Sequence, residues 1–173
     1  MARARTRRPR RAITAALAIG AALLAACGGD APGPQRDAAG AITEPGEARL
    51  LKLRIGDCVA NLRTAFECDD GGHNGVPLVR AVPCTYLHDG EVLQITPIES
   101  ASYPGPPIID GEAARGRLDL EPRIDRARAQ TGLTGRRELE LLTFRPTDNR
   151  WDFENQREIL YLAVFSTPRR GRL

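Results

Sequence analysis

The chain holds one lysine, two histidines and three serines in 173 residues, and each scarcity removes a class of chemistry. A serine nucleophile needs a base beside it and a sharp turn of the Gly-x-Ser-x-Gly kind, and Ser100, Ser102 and Ser166 stand in no such setting. A phosphate-cradling loop needs a glycine run ahead of a lysine, whereas the single lysine, Lys52, follows Leu50-Leu51. Adjacent carboxylates such as Asp69-Asp70 lie in a glycine-rich stretch, where nothing holds them at the fixed separation that acid/base hydrolysis requires. No segment after residue 27 is apolar for 18 residues, so no later helix is expected to span a bilayer. These exclusions predict a protein that is not an enzyme and uses no cofactor.

Acidic residues are also missing from the start of the chain, and there the absence is a signal. Arg3, Arg5, Arg7, Arg8, Arg10 and Arg11 form a positive segment, and an apolar stretch from Ala12 to Ala26 follows it. This is the layout of an export signal, with the positive end kept on the cytoplasmic side. The stretch is shorter than the roughly 20 residues of a spanning helix and ends Leu24-Ala25-Ala26-Cys27, small residues that suit a peptidase followed by a thiol that can be acylated. Residues 1–26 are therefore expected to be a lipoprotein signal peptide, and Cys27 the lipidated residue. Two or more acyl chains, at about 0.8 kcal/mol per buried methylene, anchor a protein stably. The expected location is the cell membrane, lipid-anchored, on its extracytoplasmic face.

Removal of the signal reverses the charge. Six of the 25 basic residues precede Cys27 and none of the 22 acidic ones does, so a formal +3 becomes −3. The exported part offers no net positive field for nucleic acid, and its expected partners are the membrane through Cys27 and cell-envelope proteins or wall components. Cys58, Cys68 and Cys84 remain beyond the anchor. Disulfides persist outside the cytoplasm, an odd count leaves one thiol over, and spacing alone does not choose the pair. Cys68-x4-His73 and Cys84-x3-His88 together offer two thiolates and two imidazoles, a donor set suited to tetrahedral zinc. Metal binding or redox sensing by Cys68, His73, Cys84 and His88 is thus the alternative function. Against it, the spacing fits no standard finger, and an exported Cys84 is better placed in a disulfide with His88 as a hydrogen-bonded corner residue.

Along the chain, residues 27–48 are rich in Gly, Pro and Ala without apolar period and predict a flexible tether. A folded domain is expected over 49–168, opening with a strand in which Leu51, Leu53 and Ile55 alternate with Lys52 and Arg54. Residues 69–75 predict an exposed loop, and Val76–Val82 and Glu91–Ile98 predict strands either side of a polar corner, Cys84 to Gly90. Asp110 is placed to cap a helix over Gly111–Leu120, with Pro122 restarting one that runs to Gln130. The arginines of this region interleave with Glu112, Asp119, Glu121 and Asp125, as on a solvated face. Leu139–Phe144 and a more central Ile159–Phe165 complete the strands, Trp151 is expected to anchor the core, and residues 169–173 form a basic tail expected to fray. The fold class is α+β: a small antiparallel sheet with one or two helices packed on one face.

Leu53-Arg-Ile-Gly-Asp-Cys58, Val79-Arg-Ala-Val-Pro-Cys84, His88-Asp-Gly-Glu-Val92, Tyr103-Pro-Gly105, Pro146 to Trp151, and Arg157 follow one another in an order that resembles the septum formation domain family of actinobacterial lipoproteins and membrane-anchored proteins. The likeness runs from about Leu50 to Phe165 and implies a link to cell division and septation, without naming a reaction. That family carries two further cysteines, one in the helix after Tyr-Pro-Gly and one in the last strand. Here Gly111–Gln130 has none, and Tyr161 stands near the strand position. Their joint absence implies that they pair with each other in the family, which leaves Cys58–Cys84 as the disulfide expected here and Cys68 as a spare thiol. A bridge across about 26 residues stabilises by roughly 3 kcal/mol in the chain-entropy account.

Overall fold

Apolar residues recur along the segments 78–82, 88–97, 139–144 and 158–169, and all four become strands of one sheet. The computed structural model describes residues 32–67, 77–131, 138–153 and 155–173. The strands are β1 (Gln35–Arg36), β2 (Ile42–Glu44), β3 (Gly46–Arg49), β4 (Cys58–Ala60), β5 (Leu78–Val82), β6 (His88–Pro97), β7 (Leu139–Phe144) and β8 (Glu158–Arg169). The helices are α1 (Leu62–Glu67), α2 (Pro106–Thr131) and α3 (Asp148–Phe153). β1 and β2 pair with each other, and the remaining six strands form an antiparallel sheet in the order β3-β5-β4-β6-β8-β7. The expected α+β class is what the chain adopts.

Two apolar layers cover the sheet. On one face Val59, Val79, Ala81, Val92, Leu160, Leu162 and Val164 pack beneath Ile42, Leu50, Leu53 and Leu62. On the other, Leu139, Ile159, Tyr161, Ala163 and Phe165 meet Ile109, Ala113, Leu120, Ile124 and Ala127 of α2. Period-2 alternation along β8 supplies both layers, which is why this strand is the most deeply buried in the sheet. α2 packs on β7 and β8, leaving the β3-β5-β4 half of its face without a helix. Arg117 and Arg128 of α2 donate to the Leu141 and Leu139 carbonyl oxygens at 3.1 and 2.8 Å. The two carbonyls are two residues apart on β7, the last strand of the sheet, so the helix satisfies acceptors that would otherwise invite another strand.

Several expectations change. The predicted strand over Leu51–Ile55 is a 3-10 turn at Leu50–Lys52 followed by a second turn at Ile55-Gly56, because the backbone closes on itself through Leu53 N–H to Leu50 O and Asp57 N–H to Arg54 O. The strand lies three residues later, at Cys58–Ala60. The folded domain begins before residue 49. Described residues 33–48 are structured, since β1 and β2 form a ribbon, Ile42 is buried and β3 joins the sheet beside β5. The tail is held as well: Gly171 N–H donates to Cys84 O at 2.7 Å, and Leu173 N–H donates to the buried Glu91 carboxylate at 2.8 Å. α2 runs unbroken through Pro122, and Asp110 lies inside it, ion-paired with Arg145, while Gly105 (φ 86°) and Pro106 make its start. The expected signal peptide over 1–26, Cys27 and the expected loop over 69–75 lie outside the described residues.

Candidate functional site

The site grows from the end of β5. Cys58 opens β4 opposite Val82, and two residues beyond Val82 the chain reaches Cys84, whose sulfur is bonded to that of Cys58 with Cα atoms 5.2 Å apart. Pro83 then starts a turn closed by Tyr86 N–H to Pro83 O at 2.8 Å, and Arg170 donates to Thr85 O at 2.8 Å from the end of the chain. A turn tied at three points presents Tyr86 and Leu87 to solvent, 49% and 56% exposed.

Tyr86 and Leu87 wall an open groove of about 440 Å³ on the uncovered half of the sheet. Pro45, Ala60, Asn61 and Val82 also line it, and Arg80 and Arg170 supply two guanidinium groups. Strand pairing explains the set: Ala60 and Glu47 both stand opposite Arg80, and Arg49 stands opposite Leu78. Leu78, Arg80 and Val82 therefore share one face, while Val79 and Ala81 point into the core. Arg80 makes no hydrogen bond or ion pair to a described side chain, so its charge is available.

Beneath the groove the acidic residues of β6 are spent on structure. Asp89 accepts from Leu62 N–H at 2.9 Å and so caps α1, whose preceding residue Asn61 sits at φ 60° with its carbonyl accepting from Ala65 N–H. Gly90 approaches Leu62 so closely that a Cβ would stand 2.7 Å from a leucine methyl. Asp57 accepts two bonds from Arg36 at 2.8 and 2.6 Å and one from Arg54 N–H at 2.7 Å. Hydrogen bonding to Asp57 holds the Arg36 guanidinium above its already high ordinary pKa, and the pair fastens the β1–β2 ribbon to the corner before Cys58.

The four residues of the zinc alternative do not assemble among the described residues. Cys84 is bonded to Cys58 and offers no thiolate. His88 is buried, its Nδ1 donating to Tyr86 O at 2.9 Å and its ring edge-on to Phe165 at 5.9 Å. That pairing fixes the proton on Nδ1, since a carbonyl only accepts. Cys68 and His73 lie outside the described residues, and no group of three His, Cys, Asp or Glu able to hold a metal occurs among the described ones. The groove itself escaped the sequence. Its one legible trace is the alternation Leu78-x-Arg80-x-Val82, in which an arginine stands between apolar residues.

A second crevice of about 370 Å³ lies between α2 and β7. Arg117 and Arg128 there are engaged with strand carbonyls, and Glu121 and Glu140 offset their charge. Among the described residues no helix is long and apolar enough to cross a membrane. No protein-family model, no curated protein and no solved structure matches the chain.

Proposed function

We propose that the chain is a non-enzymatic cell-envelope lipoprotein of the septum formation family, a binding or structural module at the outer face of the cytoplasmic membrane with a role linked to septation. The Cys58–Cys84 disulfide carries the reading. Such a bond persists where thiols are oxidised, in keeping with an export signal ahead of Cys27, and it is the pairing that the resemblance implies.

The residues that carry the resemblance support it further, because they hold the framework. Gly56, Asp57 and Cys58 form the corner before β4; Asp89 and Gly90 seat α1. Tyr103 meets Trp151 edge-on at 5.9 Å, and the Arg157 guanidinium lies 3.9 Å over the same indole. Tyr161, near the position of the family's last cysteine, reaches α2 by donating to Glu112 O at 3.2 Å. The fastened turn with Tyr86 and Leu87 at its tip is a contact surface, which suits a binding module better than a reaction centre.

Labelled palmitate should enter the wild-type chain and not Cys27→Ser, and the variant should leave the membrane fraction. A Cys27→Ser chain that stays membrane-bound would overturn the proposal.

A further inference from the structure

We infer that β3 is a self-pairing edge, through which two copies of this chain join by antiparallel β3–β3 pairing about a dyad at Ala48. The inference stands on the sheet and needs no lipid anchor.

The two edges of the sheet are treated differently. Along β7, Ser166 N–H donates to Glu138 O, which sets the alternation of the β7–β8 ladder. Leu139 and Leu141 therefore turn their backbone groups outward, and Arg128 and Arg117 cap those carbonyls. At the other edge Leu50 N–H donates to Pro77 O. Leu50 and Pro77 are thus a hydrogen-bonded pair, and Ala48 with Val79 and Gly46 with Ala81 are the next ones in this register. That leaves the amide and carbonyl of Glu47 and of Arg49 pointing away from β5. Among the described residues no donor or acceptor meets them. The pairing of β3 with β5 has no bulge, and Gly46–Arg49 holds no proline, so two of the devices that blunt an edge are missing. Gly33 and Pro34 pack on the core face of Gly46, outside the plane that an added strand would occupy.

Charge names the occupant. Glu47 and Arg49 are exposed and share the groove face with Leu78 and Arg80, their opposite numbers on β5. Laid antiparallel on itself about Ala48, β3 sets Glu47 against the partner's Arg49 and Arg49 against the partner's Glu47. These are the residues whose backbone groups point outward, so each pair also exchanges both backbone hydrogen bonds. A dyad at Glu47 or at Arg49 would instead set like charges directly opposite, which selects the register. Glu47 then stands between Arg80 of its own chain and the partner's Arg49, in a row of alternating sign. A uniformly acidic or basic peptide would satisfy one of the two edge charges and oppose the other; a second copy satisfies both.

The test uses the full chain carrying Cys27→Ser and Cys68→Ser in mild detergent, so that the reactive thiol is the one introduced. Ala48→Cys should link to itself on mild oxidation. Cα atoms opposite each other in a non-hydrogen-bonded antiparallel pair stand about 4.5 Å apart, inside the roughly 4.4–6.8 Å range of disulfides. Leu78→Cys, one strand further in, should link many-fold more slowly. Ala48 packs against the core, so a second arm leaves it untouched. Glu47→Arg alone and Arg49→Glu alone should each weaken self-association about tenfold in sedimentation, while an equal mixture of the two variants should associate again, since every edge charge then meets its opposite. Linking at equal rates from Ala48→Cys and Leu78→Cys, single variants that associate as the parent does, or a mixture that stays apart would overturn the pairing, as would a parent that is monomeric at every concentration. Because Cys27 is replaced throughout, a failure of the pairing is told apart from a failure of the lipoprotein reading, which palmitate labelling reports.

Discussion

Tyr161 carries the contact between sheet and helix in one side chain. Its ring is fully buried, its hydroxyl donates to α2 at Glu112, and Gly116 lies directly above it, where a Cβ would come within 2.2 Å of the phenol oxygen. Alanine favours a helix over glycine by about 1 kcal/mol, but overpacking a rigid aromatic in a core costs typically 1–3 kcal/mol. Gly116→Ala is therefore expected to lower stability in urea unfolding, against the propensity scale. Burial pushes the Tyr161 phenol above its ordinary value of 10.0. The folded state then keeps a proton that the unfolded chain gives up, so stability falls as pH rises from about 10 toward the raised value. Tyr161→Phe should flatten that part of the stability profile relative to wild type; equal slopes in the two proteins would refute the assignment.

α2 shows how an element can be legible and still be misread. Pro122 marks a stop or restart on local rules, yet Ile109, Ala113, Gly116, Leu120, Ile124 and Ala127 recur at intervals of three and four straight through it and are all buried. The apolar period outlasts the proline because Pro122 lies on the exposed side, so continuous packing on β7 and β8 outweighs one lost backbone bond. Pro122→Ala, which restores that bond without touching the buried face, should raise stability by about 1–3 kcal/mol. Thermal or urea unfolding measures it, and a loss would mean that the helix is not continuous there. Elsewhere local pattern pointed wrongly for the opposite reason. Leu51, Leu53 and Ile55 alternate like a strand, but Leu50 N–H is taken by Pro77 O, far along the chain, and Ile55 is left 60% exposed in the second turn. Residues 33–48 carry one buried apolar residue, Ile42, and one decisive cation, Arg36, too little for any periodicity to report. β8 was readable because the unbroken apolar run Ile159–Phe165 is long enough to report its own burial. The groove was not, since it arises where β3, β5, the Cys84 turn and the chain's end converge across large sequence separations.

The molecule is unequal across its sheet: the β6-β8-β7 half is covered on both faces, whereas the β3-β5-β4 half is covered on one and fastened at its margin by the Cys58–Cys84 bond and the chain's end. Those fastenings act together, because Gly171 binds the Cys84 carbonyl and Arg170 binds Thr85. Removing the bridge should therefore have two separable effects. Globally, Cys58→Ser/Cys84→Ser releases a constraint across 26 residues of the unfolded chain, worth about 3 kcal/mol. Locally, Thr85 to Leu87 and Gly171 to Leu173 should gain amide exchange well beyond what that global loss explains, while Ile159 to Phe165 should change only with global stability. A uniform rise across all of these amides would show that the bridge acts on the unfolded chain alone. In that case the shape of the turn belongs to the backbone bonds from Pro83, Cys84 and Thr85, and the groove would survive reduction.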